Sequence, residues 1–278
     1  MARMIADRLK DAWGQPVIVE NRPGASGNTG TYYVAQQSAD GYTLTLTGAA
    51  ALAVNVSLFS ALAYDPRRDF TPITKVVDIP TALVVPQVSP VKSLQDLIGA
   101  AQSRPGALNF GSPSNGTVNH LLGEVFKRKY GLDIAHIPYR GNPQALEALL
   151  RGDIDFMFDN LQSALPQLRA GKIRALAVTG PRRVPTLPEV ARMAELGASG
   201  FDMTAWFAIL APRGLPPELL QRLNREIVSI MQQPEFGRRV EGFGMQVAPT
   251  TPEELAAMID REITAWSEVV KASGAKPD

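Results

Sequence analysis

The feature that most constrains the fold is a repeated pattern in which a short apolar run ends in a polar turn before a helix. It occurs three times between Asn109 and Asn160, with polar turns at residues 112–117, 139–142 and 159–160. Ligands of open α/β sheets bind at the carboxyl ends of strands, beside helix N-termini. Hydroxyls, amides and backbone N–H groups in such turns suit a small anion. We therefore expect a site that holds a ligand rather than one that transforms it.

The alternation of strands and helices continues on both sides of this segment. We predict strands at 16–20, 42–47, 73–85, 107–110, 134–137, 154–158, 173–178 and 206–211, and helices at 29–38, 93–103, 117–130, 143–150 and 161–170. This rhythm predicts an α/β fold in which a parallel sheet carries helices on its faces. Two long amphipathic helices follow Pro217, and we expect them to pack back on the first βα unit.

These elements suggest two α/β lobes, with the second inserted into the first. We expect lobe one at 1–102 plus 208–278 and lobe two at 103–207. The chain would pass between the lobes twice, and two crossings can form a hinge. A cleft between hinged lobes is a common place for a ligand.

Composition removes several classes of function. The 28 Lys+Arg and 27 Asp+Glu residues leave a formal charge of +1. No long block of like charge favours nucleic acid or an anionic membrane. There are no cysteines, which excludes thiolate catalysis, zinc–thiolate sites and iron–sulfur clusters, and only two histidines. We also find no membrane-spanning run and no signal peptide, and residues 1–9 read as an amphipathic helix.

Two further turns are weaker candidates for ligand contact. The glycine-rich stretch at 24–30 does not have the spacing of a nucleotide-binding motif, so a tight turn with a helix cap is the favoured interpretation. Thr47, Gly48 and Ala49 end a predicted strand, and their small side chains would let a ligand approach the backbone.

Catalysis and metal binding find little support in the sequence. A hydrolase built on Ser114 and His120 is the enzymatic alternative, but the chain has no G-x-S-x-G elbow. We expect His120 to be a surface or capping-turn residue and His136 to be a satisfied core residue. Asp153, Asp155 and Asp159 could share one strand face, but further oxygen ligands for a metal are not evident. We therefore expect no catalytic residue, no metal and no cofactor.

A dispersed set of motifs resembles the Bug-type solute receptors of tripartite tricarboxylate transporters. The matching segments are GQPVIVENRPGA at 14–25, DGYTL at 40–44, YDP at 64–66 with Asp69-Phe70, HIPYRG at 136–141, FDN at 158–160, KIRALAVT at 172–179 and Trp206-Phe207. Together they cover essentially the whole chain. The resemblance implies a periplasmic-binding-protein (Venus flytrap) fold, type II-like, that closes on a small carboxylate.

The resemblance also implies the site and the partners. The ligand loops map to 47–49, 112–117, 139–141 and 159–160, which gives as site residues Thr47, Gly48, Ala49, Ser112, Ser114, Asn115, Gly116, Thr117, Tyr139, Arg140, Gly141, Asp159 and Asn160. The expected ligand is a dicarboxylate, an amino acid or an aromatic acid, held by amides and hydroxyls. The expected partners are membrane transporter subunits, the expected compartment is the periplasm, and we expect a monomer.

One departure from the family pattern concerns the first residues. Receptors of this family carry a strand and a Pro-Gly-Gly ligand loop before the first helix, whereas this chain starts at that helix. The first strand of lobe one is therefore expected to be missing. The alternatives to a transport receptor are the small-molecule hydrolase and a ligand-sensing domain of a regulator. The latter would need a DNA-binding helix-turn-helix, which no basic segment supplies.

Overall fold

The computed structural model describes residues 1–276, which form two compact units. Unit 1 comprises residues 1–78, 206–242 and 246–267, and unit 2 comprises 79–205, 243–245 and the described residues from Glu268 onward. The first segment of unit 1 ends at Asp78. The reason is a long-range pairing: the strand at Thr81–Pro86 forms hydrogen bonds with strands of unit 2.

Unit 1 is built on a four-stranded sheet with the order β1-β8-β2-β9. Its strands are β1 (Thr45–Gly48), β2 (Phe70–Ile79), β8 (Ala205–Pro212) and β9 (Gln246–Val247). The pairs β1–β8 and β2–β9 are antiparallel, so the expectation of a parallel sheet is wrong here. Its helices are α1 (Ala2–Trp13), α2 (Asn28–Ala35), α3 (Asn55–Leu58), α8 (Pro217–Met231), α9 (Pro234–Gly242) and most of α10 (Pro252–Ser273).

Unit 2 is built on a five-stranded mixed sheet with the order β5-β4-β6-β3-β7. Its strands are β3 (Thr81–Pro86), β4 (Asn109–Ser112), β5 (Ala135–Pro138), β6 (Phe156–Asn160) and β7 (Ile173–Val178). β4 runs parallel to β5 and β6, as predicted, whereas β3 is antiparallel to β6 and β7. Its helices are α4 (Leu94–Ser103), α5 (Val118–Tyr130), α6 (Asn142–Arg151) and α7 (Leu161–Arg169).

Local signals explain where the helices of unit 2 begin and end. Ser93 and Thr117 accept backbone N–H groups of the first turns of α4 and α5, and so cap orphan donors. Gly131 and Gly152 end α5 and α6 in the left-handed conformation, which glycine adopts without a steric penalty. These ends place the polar turns of the sequence between strand and helix.

The predicted strand at residues 16–20 is not formed, and this expectation is wrong. The segment is extended, but it pairs with no strand among residues 1–276, and Ile18 is 87% exposed. A β-branched run needs a neighbouring strand to satisfy its backbone groups. The sheet of unit 1 offers it none.

An aromatic cluster forms the centre of unit 2 beneath the polar turns. Phe110, Phe126, Phe156, Phe158 and Phe201 are almost completely buried, and their ring centroids lie 5.7–6.5 Å apart in successive contacts. Edge-to-face and stacked pairs of this kind add to the stabilisation from buried area. β4, β6 and α5 are thereby held in fixed positions.

In the described part of the chain, no helix is both long enough and apolar enough to cross a lipid bilayer.

Candidate functional site

The three polar turns of the sequence meet at one edge of the unit 2 sheet. Ser112 at the end of β4 lies opposite Pro138 at the end of β5. The Tyr139 N–H donates to the Ser112 carbonyl at 3.0 Å, and the Gly141 N–H donates to the Pro113 carbonyl at 2.8 Å. The first two turns are therefore fastened to each other through their backbones.

The third turn joins the others through Asn119, which lies in the first turn of α5. Asn119 Nδ2 donates to the Phe158 carbonyl at 2.7 Å and to Asn160 Oδ1 at 3.4 Å. Asn160 Oδ1 also accepts from the Thr81 hydroxyl at 3.3 Å. Asn160 is thus held from two sides at the end of β6.

The loop at residues 112–117 is shaped by its own side chains. The Ser112 and Thr117 hydroxyls each donate to the Ser114 carbonyl at 2.9 Å, and Thr117 Oγ1 accepts the His120 N–H at 3.3 Å. Ser112 is fully buried, whereas Ser114 and Asn115 at the tip of the loop are half-buried. The tip, beside the N-terminus of α5, is the part of the loop that solvent reaches.

Asp159 is a buried carboxyl group at the end of β6. Burial raises its pKa to about 6, against the opposing effect of a hydrogen bond from Ser163 to Oδ1. Its Oδ2 atom has no hydrogen-bond partner among the described residues. Ser163 Oγ in turn accepts a hydrogen bond from Asn142 Nδ2 at 2.7 Å, so a chain of polar side chains links α6, α7 and β6.

Tyr139 and Arg140 differ in their exposure. Tyr139 is half-buried, and burial raises the pKa of its phenol. Arg140 is exposed, and its backbone N–H donates to Gln144 Oε1 at 3.1 Å. Gly141 has φ 107° as it enters α6, a conformation that favours glycine.

The candidates in unit 1 lie at the end of β1. Thr47 and Ala49 are buried, and Thr47 Oγ1 lies 3.0 Å from Thr31 Oγ1. A Cβ atom on Gly48 would lie 2.6 Å from the Trp206 carbonyl oxygen, so only glycine fits this strand end. These residues pack tightly within unit 1.

The glycine-rich stretch at 24–30 forms a tight turn before α2. Ala25 and Ser26 have positive φ angles. The turn is tied down by Asn28, whose Oδ1 accepts from Asn55 Nδ2 at 2.7 Å and from the Tyr64 hydroxyl at 2.8 Å. The tight turn agrees with the interpretation favoured above, whereas the expected cap is wrong, because no side-chain hydrogen bond caps the start of α2.

The three aspartates of the predicted cluster lie in separate contacts. Asp153 pairs with Arg151 at 2.7 Å, and Asp155 accepts the Asn109 N–H at 2.8 Å. Asp159 accepts a hydrogen bond from the Ser163 hydroxyl. Within residues 1–276, no three His, Cys, Asp or Glu side chains are grouped so that they could hold a metal ion.

Sequence reasoning missed a set of polar residues that support the turns. They come from distant parts of the chain, and their side chains form hydrogen bonds at the strand ends: Thr81, Asn119, Ser163 and Thr179. Asn119 and Ser163 each lie in the first turn of a helix, which is a signal that could have identified them. His120 was expected to be a surface or capping-turn residue; it lies in the first turn of α5, where its Nδ1 accepts the Gly116 N–H, and it is 5% exposed.

Comparisons with known proteins agree on one family. The profile of the tripartite tricarboxylate transporter family receptor (TctC) matches residues 1–275. The chain is 39% identical to Protein BugT of Bordetella pertussis over 280 residues, covering 99% of this chain and 85% of that protein.

Two solved structures are similar over nearly the whole chain. "R. palustris Rpa4515 with adipate" has a TM-score of 0.89 and 35% identity, with 100% of this chain and 93% of that chain covered. "MatC (Rpa3494) from Rhodopseudomonas palustris with bound malate" has a TM-score of 0.82 and 32% identity, with 97% and 92% covered.

Proposed function

The chain belongs to the tripartite tricarboxylate transporter family of receptors, and we propose that it captures a small dicarboxylate through the loop at residues 112–117. Family members are periplasmic solute-binding receptors. The observation that carries the proposal is the convergence of three polar turns at one sheet edge, beside the N-termini of α5, α6 and α7.

The chemistry of this edge suits a carboxylate without an ion pair. The N-terminal ends of helices present N–H groups and carry partial positive charge. The half-buried tip of the loop adds the side chains of Ser114 and Asn115. Arg140 is the only basic residue of the three turns, and it is exposed. We propose that neutral donors provide most of the binding and that Ser112 and Thr117 hold the loop in shape.

The choice of a dicarboxylate is supported by the two similar structures whose titles name adipate and malate. Asp159 fits this class of ligand because its raised pKa leaves part of the population protonated in mildly acidic solution. A protonated carboxyl group donates a hydrogen bond to a carboxylate, whereas an ionised one repels it. An amino acid or an aromatic acid remains the second choice, with the ring of Tyr139 as the contact.

The wider transport function is also part of the proposal. We propose that the receptor acts as a monomer in the periplasm, catalyses no reaction and delivers its ligand to the membrane subunits of a transporter. That two lobes move when the ligand binds is also part of the proposal, with residues 79–102 moving together with 103–207, because β3 pairs with β6 and β7. Thr47, Gly48 and Ala49 remain proposed contacts.

The test is isothermal titration calorimetry with adipate, malate, glutamate and benzoate. We expect saturable binding of at least one dicarboxylate. Ser114→Ala and Asn115→Ala should each weaken it by roughly tenfold, because a lost hydrogen bond to a charged group costs about 1.5–3 kcal/mol.

A matched control removes a hydroxyl elsewhere in unit 2. Ser103 is exposed at the end of α4, and Ser103→Ala should bind the ligand as the unaltered protein does. Retention of full affinity in both tip variants would show that the site is misplaced. Absence of heat and of thermal stabilisation with all four acids would contradict the proposed ligand class.

A further inference from the structure

Both histidines of the chain lie face to face beneath the loop at residues 112–117. His120 of α5 and His136 of β5 have ring centroids 3.8 Å apart and an interplanar angle of 10°. Phe110 stacks on the pair, with its centroid 4.8 Å from that of His136. The neighbouring aromatic ring and the burial of His120 make this an apolar setting for two titratable groups.

Each histidine forms a hydrogen bond with the loop above it. The Gly116 N–H donates to His120 Nδ1 at 3.0 Å, so this nitrogen carries no proton in the observed arrangement. Ser112 Oγ lies 2.7 Å from His136 Nε2. The Ser112 hydroxyl also lies within hydrogen-bond distance of the Ser114 carbonyl; when it donates its one proton there, Oγ accepts from a protonated His136 Nε2. The pair therefore anchors the loop at both ends.

The charged groups around the pair come from several elements. On α5, Glu124 Oε1 lies 3.9 Å from His120 Nε2 and is itself paired with Lys127 at 2.9 Å. Strands β4 and β5 carry no ionisable side chain other than His136. Before and after β5 lie Asp133, next to Gly106, and Tyr139, next to Gly111. Asp155, before β6, is bonded to the Asn109 N–H.

We propose that His120 and His136 are positioning residues that hold the loop in its ligand-binding shape only while His120 is neutral, so that mild acid releases the loop and weakens carboxylate binding. This inference rests on the proposed function for its effect on affinity, but not for its effect on the loop. Neither histidine contacts the ligand.

The physical reason is the loss of the acceptor on His120. A proton on Nδ1 would point at the Gly116 N–H, and two donors cannot bond to each other. Two imidazolium rings stacked at the observed separation would also repel each other. Histidine is the side chain whose charge ordinarily changes in mildly acidic solution, so protonation of His120 is the event that the experiments below follow.

The first test needs no ligand. Nuclear magnetic resonance follows both imidazole rings and the Gly116 amide while the pH is lowered from about 8 to about 5, the range in which histidines ordinarily titrate. We expect the Gly116 amide to shift and to lose hydrogen-exchange protection together with the titration of His120. A Gly116 amide that does not respond while the ring becomes protonated would overturn the inference.

The second test uses adipate as the probe and separates positioning from simple support of the fold. His120→Leu removes the acceptor and should weaken binding roughly tenfold near pH 8, since it leaves a buried N–H unpaired. His120→Asn places a neutral oxygen near Nδ1 and should recover most of this affinity. As the pH is lowered from about 8 and His120 becomes protonated, the unaltered protein should lose more affinity than His120→Asn.

Equal acid dependence in the unaltered protein and in His120→Asn would contradict the inference, because ionisation of the probe and of Asp159 is common to both. His136→Gln, which keeps a donor near Nε2 for Ser112, provides the parallel comparison for the second ring. If adipate binds neither protein, the proposed ligand fails, and the resonance experiment still decides whether the histidines control the loop.

Discussion

At the scale of single residues, burial separates polar groups that look alike in the sequence. Ser112 and Ser114 stand two positions apart, yet the first is fully buried and the second lies at the tip of the loop. Asp153 is paired with Arg151 at the surface, whereas Asp159 is enclosed with one oxygen unpartnered among the described residues. Fewer residues are therefore accessible to a ligand than the polar turns of the sequence contain.

Asp159 should make the stability of the protein depend on pH. Its pKa is raised to about 6 in the folded state, so the carboxyl group is neutral in both states below about pH 4 and charged in both above about pH 6. Folding then becomes less favourable as pH rises through this window, by about 2–3 kcal/mol in total.

Urea denaturation of the Asp159→Asn variant and of the unaltered protein measures this effect. The variant should gain stability relative to the unaltered protein as the pH rises from about 4 to about 7. Asp153→Asn, at an exposed position paired with Arg151, is the control. Parallel curves for Asp159→Asn and the unaltered protein would show that the carboxyl group titrates normally.

At the scale of elements, two helix-interior glycines show how packing overrides helix propensity. A Cβ atom on Gly123 of α5 would lie 2.1 Å from a ring carbon of the buried Phe110. A Cβ atom on Gly99 of α4 would meet nothing within 4 Å. α5 can approach β4 closely because Gly123 has no side chain, and this approach places His120 beneath the loop.

Alanine at these two glycines should have effects of opposite sign. Gly99→Ala should stabilise the protein by about 0.5–1 kcal/mol, because alanine is the better helix former. Gly123→Ala should destabilise it by about 1–3 kcal/mol, because overpacking of the aromatic cluster outweighs that gain. Thermal and urea unfolding measure both changes. Stabilisation by Gly123→Ala would mean that α5 and β4 are less tightly packed.

At the scale of the whole molecule, neither unit is one continuous piece of chain. Each is assembled from three segments, and α10 passes from unit 1 to unit 2 after Ser267. The charges of the chain nearly cancel, with 28 basic and 27 acidic residues. A molecule with so little net charge provides little long-range attraction for an anion.

Ligand affinity should therefore depend weakly on salt. Raising sodium chloride from about 50 to about 500 mM should change the dissociation constant of a bound dicarboxylate by less than about threefold. Salt screens exposed charges, whereas the proposed binding depends on neutral hydrogen-bond donors. Calorimetry at the two salt concentrations measures this change. Arg140→Gln should likewise change affinity little, since exposed charges contribute little. A tenfold loss of affinity, both at the higher salt concentration and in Arg140→Gln, would mean that Arg140 forms an ion pair with the ligand.

Several features of this protein could be predicted from the sequence because they depend on neighbours within a few residues. The caps at Ser93 and Thr117, the strands that end in the three turns and the amphipathic α8 and α10 are local patterns. The family could be recognised from dispersed motifs for a similar reason, since each motif is a short continuous stretch of the chain.

The tertiary structure alone decided the features that depend on distant partners. β3 joins unit 2 because it pairs with β6 and β7, and the run at 16–20 forms no strand because no neighbour pairs with it among the described residues. The burial of Asp159 and the stacking of His120 on His136 likewise bring together residues of different elements. Hydrogen-bond pairing and desolvation act between surfaces in space, and sequence spacing does not record which surfaces meet.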